Sequence, residues 1–283
     1  MTAPSAQLLS NPRSERVRQV AALGRRAARD KQGRFLVEGP QAVRELLRYA
    51  AHAAEALYLT PAAARRHTEI VGAAGEAGVR TQECTEQVLA AMADTGHPQG
   101  MVAVARRIDV PLGRALEAVG ESGFAVVLTH VRDPGNAGTV LRGADAFGAA
   151  AVLVSEASVD VYNPKVVRST VGSLFHLPVS TGTPVTDLLE ACRHRGIRLL
   201  AADGSGPTTL PEADLTGPHA WVMGNEAWGL EPEVLALCDE VVSIPIQRAE
   251  SLNLAMAATV CLHASAASQP LGASGDLSAG KPS

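Results

Sequence analysis

The stretch "VRDPGNAGTVLRGADAFGA", Val131 to Ala149, lies between two apolar runs, "FAVVLT" before it and "AVLVS" after it. A buried strand, a Gly-rich turn and a helix leading to a second buried strand are typical of a nucleotide-binding α/β sheet. The glycines, however, do not follow the Gly-x-Gly-x-x-Gly spacing of a dinucleotide-binding turn. The stretch therefore predicts an α/β fold whose ligand is not held by that turn.

The same alternation of apolar strand and amphipathic helix continues to Ser268. Further apolar runs occur at "LPVST", "IRLLAAD", "HAWVMGN" and "VVSIPI", with helical patterns at 164–174, 185–194, 232–238 and from Ser251 onward. Strands that read as nearly continuous apolar runs are buried on both faces of a sheet. We therefore expect one mostly parallel sheet covered by helices, in a domain spanning 123–268.

The N-terminal part predicts a smaller α/β domain over residues 1–107. We expect an amphipathic helix at 14–28, a strand at 35–38, a helix through Val43, and strands in "EALYLT", "VRTQEC" and "GMVAVARR". A Pro near the start and a Gly-containing break near the end of "IDVPLGRALEAVGESG" predict a linker at 108–122. The Gly-, Ser- and Pro-rich residues 269–283 predict a disordered tail.

The composition is that of a chain able to bury a core, since 46% of its 283 residues are apolar and 19% are charged. No stretch approaches the roughly 18 apolar residues that span a bilayer, so we expect a cytoplasmic protein. The four cysteines, Cys84, Cys192, Cys238 and Cys261, are far apart and form no Cys-x-x-Cys pair. That spacing favours buried free thiols over a zinc site or disulfides.

The charge is unevenly distributed, because a net charge of −4 for the whole chain conceals a basic N-terminal segment. Between Asn11 and Arg34, eight basic residues occur with only Glu15 and Asp30. Arginine presents a planar fork of donors to phosphate, so the cluster indicates RNA or DNA binding, with an ordinary solvated helix face as the alternative. The predicted RNA-binding residues are Arg13, Arg16, Arg18, Arg25, Arg26, Arg29, Lys31 and Arg34.

Several positions in the opening stretch are candidates for a site. Asn136 fits an N-cap, since its side-chain oxygen can accept from the free N–H groups of the first helical turn. Gly135 and Gly138 permit a sharp turn or the close approach of a ligand. Arg142 is expected near the carboxyl end of the preceding strand, where open α/β sheets bind ligands, although a surface or ion-pairing role fits the sequence equally well.

Two later stretches place polar residues after apolar strands. In "WVMGNEAWGL", Gly224 ends a strand before Asn225 and Glu226, which suits a ligand lying against the backbone; Glu226 could instead charge the N-terminus of the next helix. In "SIPIQRAESLNLAMAATVCLHA", Ser251 fits an N-cap, which places Asn253 inside the first turn. The alanine-rich helix beyond favours close packing against a neighbour.

Taken in order, these three stretches resemble the SpoU, or TrmH-like, family of S-adenosylmethionine-dependent RNA 2′-O-ribose methyltransferases. The first family motif is Asn-x-Gly-x-x-x-Arg, the second is Gly-x-Glu after an apolar strand, and the third is Ile-Pro followed by Ser-Leu-Asn. The matching residues are Asn136, Gly138 and Arg142, then Gly224 and Glu226, then Ile244, Pro245, Ser251, Leu252 and Asn253. Each motif alone is weak, but three in this order are highly specific. The resemblance spans about 124–267, and "RFLVEGPQAVREL" is similar to the family's N-terminal substrate-binding domain.

The resemblance implies an α/β fold, with a C-terminal trefoil-knot methyltransferase domain and a smaller N-terminal RNA-binding domain. It also implies that S-adenosylmethionine binds in a bent shape in the knot, largely through backbone groups. The implied cofactor contacts are Thr129, Gly224, Asn225, Ile244 and Leu252. One departure is that "IPIQRAESLN" lacks a Gly common in the family and is one residue shorter, which predicts a tighter loop at Gln247 and Arg248.

The implied reaction brings a ribose 2′-hydroxyl in line with the sulfonium methyl, so positioning and help with the hydroxyl proton are the main tasks, and no metal is required. The resemblance makes Arg142 the residue that acts on the hydroxyl. Because a guanidinium is a reluctant base, orienting the phosphate and the ribose is an equally good role. The resemblance assigns Asn136 to fixing Arg142 and the RNA backbone, and Glu226, Ser251 and Asn253 to supporting the site.

The resemblance further implies a homodimer with the site at the subunit interface, acting on structured RNA. Ribosomal RNA is expected, because the N-terminal domain resembles the ribosomal-RNA branch of the family. The alternatives are a transfer-RNA ribose methyltransferase and a knotted RNA-binding protein without catalysis, although the intact Asn136, Arg142, Glu226 and Asn253 argue against the latter. A nicotinamide dehydrogenase is disfavoured by the missing glycine fingerprint.

Overall fold

The computed structural model describes residues 8–269, so the predicted disordered tail lies, apart from Gln269, outside the described residues. The α-helices are, in chain order, α1 (Glu15–Ala21), α2 (Arg26–Gln32), α3 (Pro40–Tyr49), α4 (Pro61–Arg66), α5 (Thr68–Glu76), α6 (Glu86–Met92), α7 (Leu112–Val119), α8 (Pro134–Ala146), α9 (Pro164–Thr170), α10 (Val185–His194), α11 (Pro232–Leu237) and α12 (Leu254–Ser268). The strands are β1 (Arg34–Glu38), β2 (Ala54–Leu59), β3 (Arg80–Glu83), β4 (Met101–Arg106), β5 (Phe124–Leu128), β6 (Ala151–Ser155), β7 (Val179–Thr183), β8 (Arg198–Ala202), β9 (Thr208–Thr209), β10 (His219–Met223) and β11 (Glu240–Ser243).

The chain divides into two compact units. Unit 1 comprises the described residues up to Ile108 together with Asp160–His176, the segment that contains α9. Unit 2 comprises Asp109–Val159 and the described residues from Leu177. The return of a mid-chain segment to unit 1 has no signal in the sequence, because it depends on long-range packing of α9 against β1.

The segment 108–122, for which the sequence predicts a linker, contains helix α7. Pro111 is the N-cap of this helix and Gly120 is its C-cap. Ala115 and Leu116 are buried in the core of unit 2. The Pro and Gly that suggested an irregular connection therefore mark the two ends of a packed helix.

Unit 1 is built on a four-stranded sheet in the order β1-β4-β2-β3. β4 pairs antiparallel with β1 and β2, and β2 pairs parallel with β3. One face carries a buried cluster in which Val17 and Val20 of α1 lie with Leu36 and Tyr58 of the sheet. The predicted strands are confirmed, whereas the single helix predicted at 14–28 is interrupted by a 3₁₀ turn between α1 and α2.

Unit 2 contains a seven-stranded sheet in the order β7-β6-β5-β10-β8-β11-β9, and every pair is parallel. The predicted parallel sheet is thus confirmed. β5, β6 and β10 are buried at every residue, which explains their unbroken apolar sequences. The short edge strand β9 was not predicted, because two threonines carry no periodicity.

Helices cover both faces of this sheet. On one face α7, α10 and α11 share a buried cluster with sheet residues such as Ala125 and Val222. α8 and α12 pack against each other, and α12 contacts β10 on the opposite face. A Cβ on Gly143 of α8 would lie 3.6 Å from Leu262 of α12, so a small residue keeps these two helices close.

A buried hydrogen-bond network anchors α12 to β10. Ser265 Oγ lies 2.7 Å from His219 Nε2 and accepts from Trp221 Nε1 at 2.8 Å. His219 Nδ1 lies 2.7 Å from the carbonyl of Gly217, so Nδ1 carries the proton and the Ser265 hydroxyl donates to Nε2. Burial lowers the pKa of His219, which favours this neutral ring.

The cysteines are free, as predicted; Cys84, Cys192 and Cys261 are buried and Cys238 is half-buried. Burial raises the pKa of Cys84 to about 11 and the pKa of each of the other three thiols to about 12. These thiols are therefore protonated and unreactive near neutral pH. Across residues 8–269, no helix has the length and apolar character needed to cross a bilayer.

The strand order explains where a site can form in unit 2. β5 and β10 are adjacent, with β6 and β7 beyond one and β8, β11 and β9 beyond the other. In open parallel sheets a crevice opens outside the carboxyl ends of the strands at the point where the strand order reverses. The loops that follow β5 and β10 therefore meet at this edge.

Candidate active site

Hydrogen bonds join the ends of β5 and β10. The backbone N–H and the hydroxyl of Thr129 both donate to the carbonyl of Met223, at 2.9 and 3.0 Å. His130 has a φ of 55°, and its carbonyl accepts from the Asn225 side chain at 2.7 Å. A left-handed conformation is strained for a residue with a Cβ, and the surrounding hydrogen bonds hold it. Thr129 and Asn225, two predicted cofactor contacts, thus join the two loops.

The loop after β10 folds back on itself. Asn225 and Gly229 form an antiparallel bridge, with N–O distances of 2.8 and 2.9 Å. A Cβ on Gly224 would lie 2.3 Å from the carbonyl carbon and oxygen of Gly229. This close approach of two backbone segments requires glycine at position 224, independently of any ligand.

Glu226 connects this loop to the start of α8. Its carboxylate accepts from the backbone N–H groups of Arg132 and Asp133, at 3.2 and 3.0 Å. It also accepts from Asn136 Nδ2 at 3.3 Å. The sequence left open whether Glu226 charges the N-terminus of the next helix. In the structure its charge lies at the N-terminus of α8, where the helix dipole favours an anion.

Asn136 is not the N-cap that the sequence predicted. α8 begins at Pro134, and the N-cap is Asp133, whose side chain accepts from the N–H of Asn136 at 2.8 Å. Asp followed by Pro is a strong helix start, and it is favoured as the cap over an Asn three positions after the Asp. Gly135 and Gly138 consequently lie inside α8 rather than in a turn.

Ser251 is likewise not the N-cap of the last helix. The cap is Asn253, whose side-chain oxygen accepts from the N–H of Ala255 at 2.9 Å. Asn253 Nδ2 donates to Asn136 Oδ1 at 3.1 Å. A continuous network therefore runs from Asn253 through Asn136 to Glu226 and fixes the orientation of all three side chains.

Arg142 lies on the exposed side of α8. Among residues 8–269 its side chain makes no hydrogen bond and no ion pair. In this single chain Asn136 is bonded to Glu226 and Asn253 and not to Arg142, contrary to the expectation that Asn136 fixes Arg142. Among residues 8–269, Arg142 is therefore an unpaired cation on the same helix as Asn136, whose side chain is already bonded.

A cavity of about 280 Å³ lies at the carboxyl ends of β8, β10 and β11. Gly224, Asn225, Ile244 and Leu252 line it, whereas Thr129 does not. The structure therefore brings together four of the five predicted cofactor contacts. Glu226 and Ser251 also line it, and the other lining residues are Ala202, Asp203, Gly204, Met223, Ala227, Gly229, Val242, Ile246, Glu250, Leu254 and Ala257. The predicted catalytic residues Asn136, Arg142 and Asn253 lie outside this lining.

The lining of the cavity is acidic and apolar. Asp203, Glu226 and Glu250 contribute carboxylates, and among the described residues no Lys or Arg lines the cavity. The sequence analysis did not single out Asp203 or Glu250, although Asp203 follows the apolar run "LLAA" as a polar strand end. Gln247 and Arg248, the positions of the shortened loop, are exposed and do not line the cavity.

The basic segment in unit 1 is dispersed over α1, α2 and β1. Seven of the eight predicted RNA-binding residues are exposed. The exception is Arg29, which is 1% exposed and donates to Asp160 Oδ2 at 2.7 and 2.8 Å and to the carbonyls of Leu23 and Gly24. The prediction that Arg29 binds RNA is therefore wrong, because its guanidinium is buried and already paired with Asp160.

Both parts of the chain match known families. Residues 123–263 match the SpoU rRNA Methylase family, and residues 14–103 match the MRM3-like substrate binding domain. The crystal structure of an AdoMet-bound rRNA methyltransferase from Sinorhizobium meliloti superposes with a TM-score of 0.81 at 27% identity, covering 92% of this chain and 97% of that chain. The likeness confirms the predicted fold class, a knotted α/β methyltransferase domain with a smaller N-terminal domain.

Two of the similar proteins illustrate the activities assigned to relatives. Over 151 residues the chain is 41% identical to the 23S rRNA (uridine(2479)-2′-O)-methyltransferase of Streptomyces viridochromogenes, an alignment covering 51% of this chain and 53% of that relative. Over 231 residues it is 33% identical to the 23S rRNA (guanosine-2′-O-)-methyltransferase RlmB of Ralstonia nicotianae, covering 80% of this chain and 93% of that relative. The two relatives share a ribosomal RNA and a ribose position but differ in the nucleoside.

Proposed function

Because the chain belongs to the SpoU rRNA Methylase family, we propose that it transfers a methyl group from S-adenosylmethionine to a ribose 2′-hydroxyl of ribosomal RNA. The observation that carries this proposal is the acidic cavity at the carboxyl ends of β8, β10 and β11. The unpaired Arg142 and the Asn253–Asn136–Glu226 network lie on the loops and helices that begin at the same edge of the sheet.

The cavity fits S-adenosylmethionine by the chemistry of its lining. The cofactor carries a sulfonium and an ammonium group, and the carboxylates of Asp203, Glu226 and Glu250 provide favourable charge. Ile244 and Leu252 provide apolar surface for an adenine ring, and the strand-end loops supply backbone N–H and C=O groups for its edge. The Sinorhizobium meliloti neighbour was crystallised with AdoMet bound.

S-adenosylmethionine held by these residues would supply an electrophilic methyl group; its transfer to the ribose 2′-hydroxyl would release S-adenosylhomocysteine and pass the hydroxyl proton to solvent. Arg142 acts on the RNA side, where its guanidinium orients a phosphate and the ribose through charge-assisted hydrogen bonds. Because its side chain has no hydrogen-bond or ion-pair partner among residues 8–269, its donors are available to the RNA. The network of Glu226, Asn136 and Asn253 holds the start of α8, and thereby the helix that carries Arg142, against the loop that lines the cavity.

Unit 1 binds the RNA in this proposal. Residues 14–103 match a substrate-binding domain, and the seven exposed basic residues of 13–34 offer phosphate contacts. Binding that depends on phosphate contacts weakens steeply as salt rises, because counterions are released from the RNA. Ribosomal RNA is favoured over transfer RNA because the two relatives described above act on 23S rRNA.

We further propose a homodimer formed by unit 2, working in the cytoplasm. Met256 and Val260 of α12 are 58% and 40% exposed and lie one helical turn apart, which places them on one face. Trp228 and Ile246 add exposed apolar surface in the same unit. Exposed apolar surface of this kind is typical of an interface with a second subunit.

Calorimetry and a methyl-transfer assay test the proposal. We expect S-adenosylmethionine to bind, and radiolabelled methyl groups to enter ribosomal RNA from a strain lacking the gene. Incorporation into transfer RNA alone would favour the transfer-RNA enzyme, and cofactor or RNA binding without incorporation would favour a non-catalytic binding protein. Absence of cofactor binding by the wild-type protein would refute the proposed function.

A further inference from the structure

Unit 1 contains a polar cleft of about 520 Å³ on the face of its sheet that α1 only partly covers. Its rim is formed by Arg16 of α1, Arg34 of β1 and Arg80 of β3. Arg80 lies outside the basic N-terminal segment, 46 positions beyond Arg34 in the chain. Pairing of the four strands brings it to the same face, since Ala56 of β2 lies opposite both Arg80 and Val104.

The charge of this cleft is opposite to that of the chain. Among residues 8–269, three guanidinium groups line it with a single carboxylate, Glu55, whereas the whole chain has a net charge of −4. Glu55 is bonded to Arg34, with 2.6 Å between Oε2 and Nε. Arg16 makes no side-chain hydrogen bond or ion pair among residues 8–269, and Arg80 donates only to the Tyr58 hydroxyl, at 3.4 Å. Two exposed guanidinium groups therefore remain available to an anion from solvent.

The remaining lining groups suit a nucleotide better than a simple ion. Gln19 and Gln32 place amides at the rim, and Tyr58 and Val104 contribute to the lining. Amides can donate to and accept from base edges and ribose hydroxyls, while guanidinium groups bind phosphate. A volume of about 520 Å³ lies within the range of small-molecule sites, and a cleft of that size admits a nucleotide of a single strand rather than a duplex.

We propose that this cleft binds a phosphodiester of a single-stranded segment of the RNA substrate, with Arg16 and Arg80 as the phosphate contacts. Arg34 is a third contact, and its ion pair with Glu55 weakens its attraction for the phosphate. The proposal rests on the proposed function, because it assigns the place on unit 1 at which that substrate docks. In this proposal the phosphate contacts are concentrated in one cleft formed by residues of α1 and β3, and are not spread evenly along the basic N-terminal segment.

The test measures RNA binding by fluorescence anisotropy, with a fluorescein-labelled oligouridylate of about a dozen nucleotides as the probe. Each phosphate contact to a single strand contributes about 0.7 to the slope of log affinity against log salt. The double variant Arg16→Gln/Arg80→Gln is therefore expected to lower that slope by about 1.4 and to weaken binding about tenfold or more near 0.1 M salt.

Arg65→Gln is the matched control. Arg65 is also exposed, lies in unit 1 on α4, has no ion pair among the described residues, and does not line the cleft. We expect it to leave the slope unchanged. A double variant whose slope equals that of Arg65→Gln would overturn the proposal.

Glu55→Gln gives a test of opposite sign. Removing the one carboxylate in the cleft releases Arg34 and removes repulsion of the phosphate, so we expect RNA binding to strengthen by about threefold. A variant that binds more weakly than the wild type contradicts the proposed role of Glu55 and of the cleft. Because loss of folding cannot strengthen binding, this arm does not depend on the fold tolerating the loss of an arginine.

Methyl transfer to 23S rRNA separates failure of the cleft from failure of the proposed function. In Arg16→Gln/Arg80→Gln we expect the KM for RNA to rise about tenfold, with kcat within about twofold of wild type and unchanged affinity for S-adenosylmethionine. If the double variant is active with an unchanged KM for RNA, the proposal that the cleft binds RNA is refuted and the proposed function is not. An inactive wild-type protein overturns the proposed function, while the anisotropy slopes still decide the cleft.

Discussion

Replacement of Gly224 by alanine tests whether the loop after β10 holds the cofactor cavity in shape. The new Cβ would lie 2.3 Å from the carbonyl carbon and oxygen of Gly229 and 2.7 Å from the nitrogen of Leu230. These are backbone atoms, so no side chain can rotate away to relieve the overlap. The Asn225–Gly229 bridge must therefore open or move.

The cost follows from what the overlap disrupts. Two backbone hydrogen bonds, at 2.8 and 2.9 Å, contribute about 0.5–1.5 kcal/mol each, and overpacking adds about 1–3 kcal/mol. We expect the free energy of unfolding of unit 2 to fall by about 2–6 kcal/mol in Gly224→Ala. The affinity for S-adenosylmethionine should fall at least tenfold, about 1.4 kcal/mol, because Asn225 and Gly229 both line the cavity.

Urea unfolding followed by tryptophan fluorescence, together with calorimetry of cofactor binding, measures both quantities. Both tryptophans of the chain, Trp221 and Trp228, lie in unit 2, so the fluorescence reports on that unit. Gly204→Ala is the control, since Gly204 lines the same cavity and a Cβ there meets no atom within 4 Å. We expect the free energy of unfolding of Gly204→Ala to stay within about 0.5 kcal/mol of wild type. If Gly224→Ala unfolds and binds cofactor as the control does, the account of the loop is refuted.

Four further predictions concern catalysis, pH dependence and stability. Arg142→Ala should lower kcat for RNA methylation about 100-fold or more. Cofactor affinity and the free energy of unfolding should not change, because the side chain is exposed and unpaired among the described residues. A dimeric variant as active as wild type would exclude Arg142 from catalysis. Glu226→Gln should reduce kcat about tenfold or more, since an amide accepts poorly from two backbone N–H groups and removes the negative charge at the start of α8. Full activity of this variant in a radiolabel assay would contradict the proposed role of Glu226 in holding the start of α8. Burial lowers the pKa of His219, so below about pH 6.5 the unfolded chain binds a proton that the folded chain does not, and the free energy of unfolding should fall. Ser265→Ala should lower the free energy of unfolding by about 2–4 kcal/mol, measured by urea unfolding at pH 7.5, because His219 and Trp221 lose their shared hydrogen-bond partner.

Much of the fold could be predicted from the sequence because unit 2 is a parallel sheet. Its strands are buried on both faces, so β5, β6 and β10 appear as unbroken apolar runs, and the helices between them have clear periodicity. Helix ends were less predictable where two capping residues compete within a few positions. Asp133 and Asn253 took the caps that the sequence suggested for Asn136 and Ser251, since a cap depends on the local backbone and not on residue type alone.

The candidate site was only partly visible in the sequence. Gly224, Ile244 and Leu252 were identified through motif resemblance, and they line one cavity in the structure. Asp203 lines it too but belongs to no motif, because a carboxylate at a strand end resembles any solvated loop residue until the strand order is known. Glu250, next to Ser251 in the third motif, also lines the cavity but was not predicted as a site residue. Thr129 was predicted as a cofactor contact, and its hydroxyl is used instead to join β5 to β10.

The sequence by itself determined the fold class, the parallel sheet and the order of the three motifs, because buried strands, helical periodicity and local motifs are properties of neighbouring residues. Only the tertiary structure decided the partners of charged side chains, since these come from distant parts of the chain. Arg29 and Arg16 look alike in the sequence, yet Asp160 buries the first and the second remains exposed beside Arg80. A charge is available for binding only where folding has not already provided its counter-charge.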